Sequence, residues 1–460
     1  MNTLDETLKK SLQAMFPADA CLFDPAECLA YGYDNSRRQA MPEAVVMPTT
    51  KEQVQALVHL CREYQIPLVA RGRGTNTTGA SVPIEGGIVA SFERMNRILE
   101  IRAGDRVAIV EPGVLNGDLQ TALKSHGLFW PPDPTSAAYS SIGGNLACNA
   151  GGPRAVKYGA SRDNVLAVTA ITGTGDLVHC GAAVTKSSSG YDLSRLLIGS
   201  EGTLGLIVEA SLKLSAIPMQ RQILRALYRD VESAAQAVAS IMSQPVIPSM
   251  LEFLDGECVN LVREQAGVEL LPCGAMLIIE ADGDIDTLPF ALSTLERFAR
   301  NDGCIEIRAA RNQDEINELM AARKALSPLL RSISSGKINE DVVVPVSQVP
   351  ALCRQVAKIA VQQMLKIVCF GHIGNGNVHV NILFDKTDEA ESERAIAAMS
   401  QVFTCTTGLG GQLSGEHGIG LAKRDFMTHA IDAPTLALMR DIKRCMDPLG
   451  ILNPGKILPP

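Results

Sequence analysis

Three of the seven histidines in this sequence, His372, His379 and His417, lie within one short stretch of its C-terminal half. The segment FGHIGNGNVHVNILF is typical of two strands joined by an Asn-Gly turn, which can fold His372 back beside His379. Alternation along the second strand places His379 and Asn381 on one face and the neighbouring valines on the other. Two imidazoles that lie close together and away from the apolar face are candidate ligands of a divalent metal.

The segment SGEHGIG adds a carboxylate, Glu416, directly before His417. Two histidines and one carboxylate with open coordination positions suit catalytic Zn²⁺ first, with Mn²⁺ or Fe²⁺ as alternatives. A histidine on a strand is otherwise more often hydrogen-bonded than metal-bound, so the acidic loop is what favours a metal. Because adjacent residues of an extended loop point in opposite directions, we expect Glu416 and His417 to have separate roles.

Segments rich in glycine and small polar residues occur in the N-terminal half. RGRGTNTTG, from Arg71 to Gly79, follows a predicted strand, where glycine lets the backbone approach a diphosphate closely. A nicotinamide dinucleotide fingerprint fits poorly, because no glycine stands at position 77 and no helix follows. If RGRGTNTTG were the only such segment, a tight structural turn would be enough to explain it. Together with PPDP, SSIGGNLACNAGG and LIGSEGTLGLI, it indicates a large, extended ligand that carries a diphosphate.

The elements that would position these segments are readable from the sequence pattern. Residues 44–91 predict a β–α–β unit in which a capping box at Thr49 and Thr50 starts the helix. Residues 130–159 lose any hydrophobic period and predict a long functional loop. From about Leu224 to Asp385, strands alternate with helices, which indicates a second α+β domain. A helix and the sequence GILNPGKILPP close the chain.

Length and composition limit the possible functions. With 460 residues we expect two or three domains. The net charge of −8 and 4% aromatic residues argue against nucleic-acid binding. No pair of the twelve cysteines has the C-x-x-C spacing of a zinc or iron–sulfur motif. No export signal or membrane-spanning run is apparent, so we expect a cytoplasmic protein that can contact a membrane surface peripherally.

The order of these segments resembles the FAD-binding domain of the vanillyl-alcohol oxidase and p-cresol methylhydroxylase superfamily, over Ala44 to Ala216 and again at Asn453 to Ile457. The resemblance implies an α+β fold with a two-part FAD-binding domain (1–216), a substrate or cap domain carrying the metal site (217–420) and a C-terminal segment that completes the FAD site (421–460). Many relatives carry a flavin-linking histidine in the first glycine segment. This chain has Thr75, Asn76, Thr77 and Thr78 there, so we expect non-covalent FAD. The cofactor contacts that it implies are Arg71, Gly72, Gly74, Thr75, Asn76, Thr77, Gly79, Pro131, Pro132, Asp133, Ser136, Ile142, Gly143, Gly144, Asn145, Asn149, Gly152, Glu201, Gly202, Ile207 and Asn453.

The C-terminal motifs resemble the D-2-hydroxyacid dehydrogenase branch, which includes D-lactate and D-2-hydroxyglutarate dehydrogenases and the flavin subunit of glycolate oxidase. The family pattern H-x-G-D-G-N-x-H appears here with Asn375, a turn residue, in place of the aspartate. The resemblance implies the metal ligands His372, His379 and Glu416, the base His417, and the substrate contacts Arg323, Asn381 and Lys337. Asn339 or Asp341 is an alternative to Lys337. Without the resemblance, Arg323 reads as a solvated helix residue.

The implied reaction is metal-assisted oxidation of a D-2-hydroxy acid, with a hydride passing to FAD N5. Because the chain carries neither an NAD fingerprint nor an iron–sulfur motif, we expect an external electron acceptor, either a quinone, a cytochrome or an electron-transfer flavoprotein. We also expect a homodimer. The alternatives are the flavin subunit of a multi-subunit glycolate oxidase and a non-catalytic flavin-binding protein.

Overall fold

The computed structural model describes residues 4–266 and 270–460, which group into two units. The first unit contains the described residues up to Gly151, together with Gly159–Ile217 and Glu416–Pro460. The second contains Gly152–Tyr158 and the described part of Pro218–Gly415. The expected domain limits after residues 216 and 420 stay predictions.

Both units combine strands with helices, numbered here along the chain. The strands of the first unit are Cys21–Leu22 (β1), Ala44–Val46 (β2), Leu68–Arg71 (β3), Ile88–Ser91 (β4), Ile98–Arg102 (β5), Val107–Val110 (β6), Leu128–Phe129 (β7), Val165–Thr172 (β8), Leu177–Gly181 (β9), Gly205–Lys213 (β10) and Ser215–Ala216 (β11). Those of the second are Gln220–Tyr228 (β12), Met250–Asp255 (β13), Ala275–Gly283 (β14), Cys304–Ala309 (β15), Gly336–Val343 (β16), Lys366–Gly371 (β17) and Asn377–Phe384 (β18). The α-helices are Glu6–Met15 (α1), Pro25–Cys28 (α2), Lys51–Tyr64 (α3), Asn116–Lys124 (α4), Ile142–Ala147 (α5), Ala155–Tyr158 (α6), Leu193–Leu197 (α7), Val231–Met242 (α8), Gly256–Ala266 (α9), Leu288–Ala299 (α10), Gln313–Ser332 (α11), Val349–Gln363 (α12), Glu389–Gly408 (α13), Met427–Ala430 (α14) and Ala433–Met446 (α15).

The first unit begins with a small sheet in the order β1-β2-β4-β3, in which β2 and β3 each pair with β4 in parallel. The helix α3 connects β2 to β3 and buries a stripe that includes Val54, Leu57 and Cys61. At its start, Thr50 Oγ1 accepts a hydrogen bond from Gln53 N at 3.3 Å. The predicted β–α–β unit and its helix cap are therefore confirmed.

The second sheet of this unit is antiparallel, in the order β5-β6-β10-β8-β9. Its central strand β10 is buried on both faces, because successive side chains alternate between two cores. Leu206 and Val208 pack in the core of the small sheet, whereas Ile207 between them packs in a second core around Trp130. One strand thus joins the two halves of the unit.

Residues 130–159 are not the structureless loop that the sequence predicted. They contain the short helices α5 and α6. Ser141 caps α5 by accepting a hydrogen bond from Gly144 N at 3.3 Å. The prediction failed because helices of one or two turns are too short to show a hydrophobic period.

The second unit is built on one antiparallel sheet of seven strands, in the order β15-β12-β14-β13-β17-β18-β16. The helices α9 and α11 pack over the face that carries Met250, Leu254, Met276 and Phe370. This core therefore joins a helical layer to the middle strands, from which the candidate catalytic side chains project.

The segment 152–158 belongs to the second unit although the chain on both sides of it belongs to the first. Two acidic residues of β14 hold it. Glu280 lies 3.3 Å from Arg154 Nε, and Asp282 forms an ion pair with Lys157 and accepts a hydrogen bond from the Tyr158 hydroxyl at 2.6 Å. The Asp282 side chain has no exposed surface, so these bonds replace its lost hydration.

We expect Asp282→Ala to lower the free energy of unfolding of the second unit by about 1–3 kcal/mol, less than for a fully buried ion pair because Lys157 is one-third exposed. Urea unfolding followed by circular dichroism measures this. Lys9→Ala, which breaks the exposed pair with Glu6, should cost less than about 0.5 kcal/mol. Equal losses in the two variants would contradict this account.

Candidate active site

His372 and His379 come together at the turn between β17 and β18. Their ring centroids are 5.2 Å apart, the planes are nearly perpendicular, and each ring offers a nitrogen within 4.8 Å of the other's. The turn requires Gly376, which has φ of 73° and where a Cβ would lie 1.9 Å from Val344 O. The prediction that this turn places His372 beside His379 is confirmed.

A carboxylate that the sequence analysis missed, Glu252 of β13, fixes His372. Glu252 Oε1 lies 2.5 Å from His372 Nδ1, and its Oε2 accepts a hydrogen bond from Arg323 Nε at 2.7 Å. The Glu252 side chain is completely buried. Burial opposes its ionisation, but the Arg323 charge and the hydrogen bonds from His372 and Arg323 outweigh burial, so the pKa of Glu252 lies below its ordinary value.

Arg323 lies on the buried stripe of α11, together with Leu319, Ala322 and Leu326. Its guanidinium carbon stands 4.5 Å from the ring centroid of Phe370, within cation–π range. The interpretation of Arg323 as a solvated helix residue is therefore wrong. The side chain is a buried cation whose Nε is bonded to Glu252.

The strand β16 pairs with β18, and the register of this pairing determines which residues lie opposite the candidate substrate contacts of β18. Asn339 lies opposite Asn381, Asp341 opposite His379, and Lys337 opposite Leu383. Directly opposite residues share a face of a sheet, so all three alternatives of β16 lie on the His379 face. Asn381 is fully buried and its Nδ2 donates to Val368 O and His379 O. Lys337 Nζ lies 3.1 Å from Ser327 Oγ.

Asp341 holds neighbouring backbone and side chains in place, a structural role that the sequence analysis did not predict. Its Oδ1 accepts a hydrogen bond from Asn377 Nδ2 at 2.6 Å. Its Oδ2 accepts from Ser414 Oγ and Gly415 N, each at 3.0 Å. Asp341 therefore anchors the last residues of the second unit, directly before Glu416 in the chain.

The glycine-rich segments of the first unit approach one another closely. A Cβ on Gly72 would lie 2.4 Å from Ser141 Oγ, so a side chain at position 72 would displace the hydroxyl that caps α5. The buried atoms Thr77 Oγ1 and Asn145 Oδ1 have no hydrogen-bond partner within the described part of the chain. Because FAD offers both donors and acceptors, a cradle with unpaired buried oxygens fits it.

Several predicted cofactor residues use their side chains within the chain itself. The Arg71 guanidinium donates to Tyr33 O at 2.6 Å, and Asn149 Oδ1 accepts from Arg162 N at 2.9 Å. The side-chain amide of Asn453 donates to Ala80 O and Glu201 O. That they also contact the cofactor stays a prediction. The same holds for Gly74, Thr75, Gly79, Pro131, Pro132, Asp133, Ser136, Ile142, Gly143, Gly144, Gly202 and Ile207 of the first unit, and for Gly152 of the second.

His417 and Glu416 belong to the first unit, whereas His372 and His379 belong to the second. The main chain of His417 is tied to the first glycine segment, since Asn76 Nδ2 donates to His417 O at 3.0 Å. Glu201 holds the residues that follow, because its carboxylate accepts from Ile419 N at 2.6 Å and from Gly420 N at 2.9 Å. The backbone beside His417 is thus fixed by two polar side chains.

Comparison with known proteins gives consistent results over the whole chain. Residues 42–181 match the family of FAD-binding domains, and residues 217–457 match the C-terminal domain of FAD-linked oxidases. The chain is 37% identical to the glycolate oxidase subunit GlcD of Bacillus subtilis over 93% of its length and 92% of the relative's. It is 35% identical to a D-lactate dehydrogenase of Anaerostipes hadrus, covering 91% of this chain and 90% of that one.

The fold is also that of a solved flavoprotein. The structure of p-cresol methylhydroxylase with substrate bound superposes with a TM-score of 0.82 at 17% identity, covering 100% of this chain and 98% of that one. These matches define a FAD-dependent oxidoreductase with the predicted α+β fold of two-part FAD-binding domain and second domain. The chain belongs to the FAD-linked D-2-hydroxyacid dehydrogenase family, as the motifs indicated, and it has the fold of p-cresol methylhydroxylase.

Within residues 4–266 and 270–460, no helix has the length and hydropathy needed to cross a bilayer.

Glu201 should make stability depend on pH. Burial raises the pKa of its carboxyl to about 7, against about 4.3 in an unfolded chain. Between these values the folded protein holds a proton that the unfolded chain has released, so this stabilisation is present at low pH and is lost as the pH rises towards 7. The contribution is on the order of 3 kcal/mol.

We therefore expect the Tm of the flavin-loaded protein to fall more steeply from pH 5 to 7 than that of Glu201→Gln, which keeps an acceptor but cannot titrate. Asp255, whose pKa burial raises to about 6, leaves a residual slope in both proteins. Lys456 acts in the opposite direction above that window, because burial lowers its pKa to about 8 and stability therefore rises with pH from there to about 10.4, the pKa of an unfolded lysine. Parallel Tm profiles of the two proteins would refute the role of Glu201.

Proposed function

We propose that this flavoprotein oxidises a D-2-hydroxy acid to the 2-oxo acid and passes the electrons to an external acceptor, either a quinone, a cytochrome or an electron-transfer flavoprotein. The observation that carries the proposal is a buried group of two neighbouring imidazoles, His372 and His379, and one arginine, in which Glu252 bonds both His372 and Arg323. An arginine suits a carboxylate, and paired imidazoles suit a divalent metal. Such an acid offers a carboxylate and a hydroxyl on adjacent carbons, which matches these two kinds of group.

His372, His379 and Glu416 would hold the metal, with Zn²⁺ the first choice and Mn²⁺ or Fe²⁺ the alternatives. The fit rests on the donor set, because Glu252 occupies Nδ1 of His372 and thereby directs Nε2 of that ring to a ligand. A divalent ion there supplies Lewis-acid stabilisation of a negatively charged oxygen.

The residues of the chain would then divide the remaining work. Arg323 binds the substrate carboxylate and orients C2, and His417 takes the hydroxyl proton. FAD, held by the glycine-rich segments of the first unit, would supply the acceptor for the hydride that leaves C2. The alcohol thus loses one proton and one hydride and becomes a ketone. Asn381 and Lys337 would contact the rest of the acid, which favours a polar or dicarboxylic substrate.

A second candidate is the flavin subunit of a multi-subunit glycolate oxidase, which the likeness to the glycolate oxidase subunit of B. subtilis favours. The purified chain separates the two. Turnover of D-lactate, glycolate, D-malate or D-2-hydroxyglutarate with an artificial dye shows that no partner subunit is required. Flavin reduction by glycolate without sustained turnover would favour the subunit.

We expect His417→Ala to lower kcat by about a hundredfold or more, the usual size of a general-base contribution, with normal flavin content. Stopped-flow bleaching of the flavin by D-lactate or D-2-hydroxyglutarate measures the step directly. His126→Ala, at an exposed turn after α4, is the matched control and should keep the wild-type rate. Wild-type bleaching in His417→Ala would refute the assignment of the base, whereas absence of bleaching in the wild type itself would favour a non-catalytic flavoprotein.

Removal of the metal should abolish turnover and leave the yellow colour unchanged, because the proposed metal ligands and the glycine-rich cradle are different residues. Chelator treatment followed by elemental analysis and flavin absorbance tests this. Addition of Zn²⁺ or Mn²⁺ should restore the rate in the wild type but not in His379→Ala. Full activity in protein that contains no metal would remove the ion from the mechanism.

A further inference from the structure

Glu252 touches both kinds of functional group in the candidate site, an imidazole of the proposed metal ligands and the arginine proposed to bind substrate. Its two carboxylate oxygens are divided between them, with Oε1 on the Nδ1 of His372 and Oε2 on the Nε of Arg323. Glu252 is completely buried, so exchange of either bond for water is prevented.

We propose that Glu252 is a positioning residue that links binding of the metal to binding of the substrate carboxylate. This inference rests on the proposed function. Glu252 is neither a proposed metal ligand nor a proposed substrate contact. Its bonds to His372 and Arg323 affect both of those functions at once.

The first effect is on the tautomer of His372. An ionised carboxylate accepts hydrogen bonds and donates none, so the contact at Nδ1 requires the ring to carry its hydrogen there. The lone pair then lies on Nε2, the nitrogen that a metal would use. A hydrogen bond from a carboxylate also fixes the plane of the ring and makes the ligand more basic.

The second effect is on the direction of Arg323. Since Nε donates to Glu252 and the guanidinium plane is rigid, the terminal Nη1 and Nη2 groups are the ones that can meet a substrate carboxylate. Phe370 stands 4.5 Å from the guanidinium carbon and limits its movement on another side. The arginine is therefore held before the acid arrives, which lowers the entropic cost of binding.

Position explains why one carboxylate can serve both partners. β13 pairs with β17 in a register that sets Phe253 against Gly371, so Glu252 falls beside His372 at the end of that strand. On the same face, α11 packs over Leu254 and brings Arg323 to the other oxygen. An acid one residue away in either direction would point to the opposite face of the sheet.

The test is Glu252→Gln, which has the same shape but only one acceptor oxygen, so either His372 or Arg323 loses its partner or its orientation. We expect the affinity of the flavin-loaded protein for Zn²⁺ and Mn²⁺ to fall 10- to 100-fold in equilibrium dialysis. We also expect the KM for D-lactate or D-2-hydroxyglutarate, at saturating metal, to rise about tenfold. A loss of metal affinity alone, a rise in KM alone, or neither would overturn the double role.

Glu280→Gln is the matched control, because Glu280 is also a buried acid on this sheet that is bonded to an arginine, Arg154. It should lower stability and leave the metal affinity and KM unchanged. Changes of equal size in both variants would mean that general loosening of the sheet, and not positioning by Glu252, is responsible, which also overturns the proposal.

A variant that fails to fold leaves a test on the wild type. Imidazole ¹⁵N spectra of histidine-labelled protein, with His372 assigned through His372→Gln, report the tautomer of each ring. We expect hydrogen on Nδ1 of His372, and the Nε2-protonated form would overturn the inference.

The measurement of metal affinity by equilibrium dialysis does not depend on turnover. If His372→Ala and His379→Ala bind metal like the wild type, the proposed function fails. If they lose it and Glu252→Gln does not, only this inference fails.

Discussion

A fully buried carboxylate, Glu252, is the constraint on which the candidate site depends. An ionised acid without water is stable only when its oxygens have charged or strongly donating partners. Here the partners are Arg323 and His372, one on each oxygen. The interaction therefore works in both directions, since the acid needs the two cations or donors and each of them is fixed by the acid. Removing any of the three leaves an unpaired group inside the protein.

The register of the second sheet turns this local pairing into an extended site. β13, β17, β18 and β16 are successive neighbours, and the face on which Glu252 lies also carries Phe370, His379 and Asp341. Strand pairing fixes such neighbours because a slip of one residue would reverse every side chain. A helix supplies the one long cation. Glu252, His379 and Asp341 thus project from paired strands, whereas His372 lies in the turn that directly follows β17.

The sequence predicted the parts of this arrangement that local patterns encode. The Asn-Gly turn is sufficient to bring His372 to His379, and the stripe of Val54, Leu57 and Cys61 is sufficient to define α3. Glu252 was missed because its partners lie 71 and 120 residues away. Its one local signal is an acid within the apolar run MLEFL. Arg323 could have been recognised as buried from its place among Leu319, Leu326 and Leu330 at helical spacing.

The loop that carries the candidate base, His417, is likewise held by contacts that are distant in the sequence and that local patterns do not predict. Its glycines, Gly418 and Gly420, suggest local flexibility, yet φ of 84° and 50° there are fixed conformations imposed by distant groups. A Cβ on Gly418 would lie 2.4 Å from Glu201 Oε1, and Gly420 N donates to that carboxylate. Glycine is present because the backbone must approach Glu201 closely. The backbone on either side of Glu416 and His417 is therefore held by buried acids, by Glu201 at Ile419 and Gly420 and by Asp341 at Gly415.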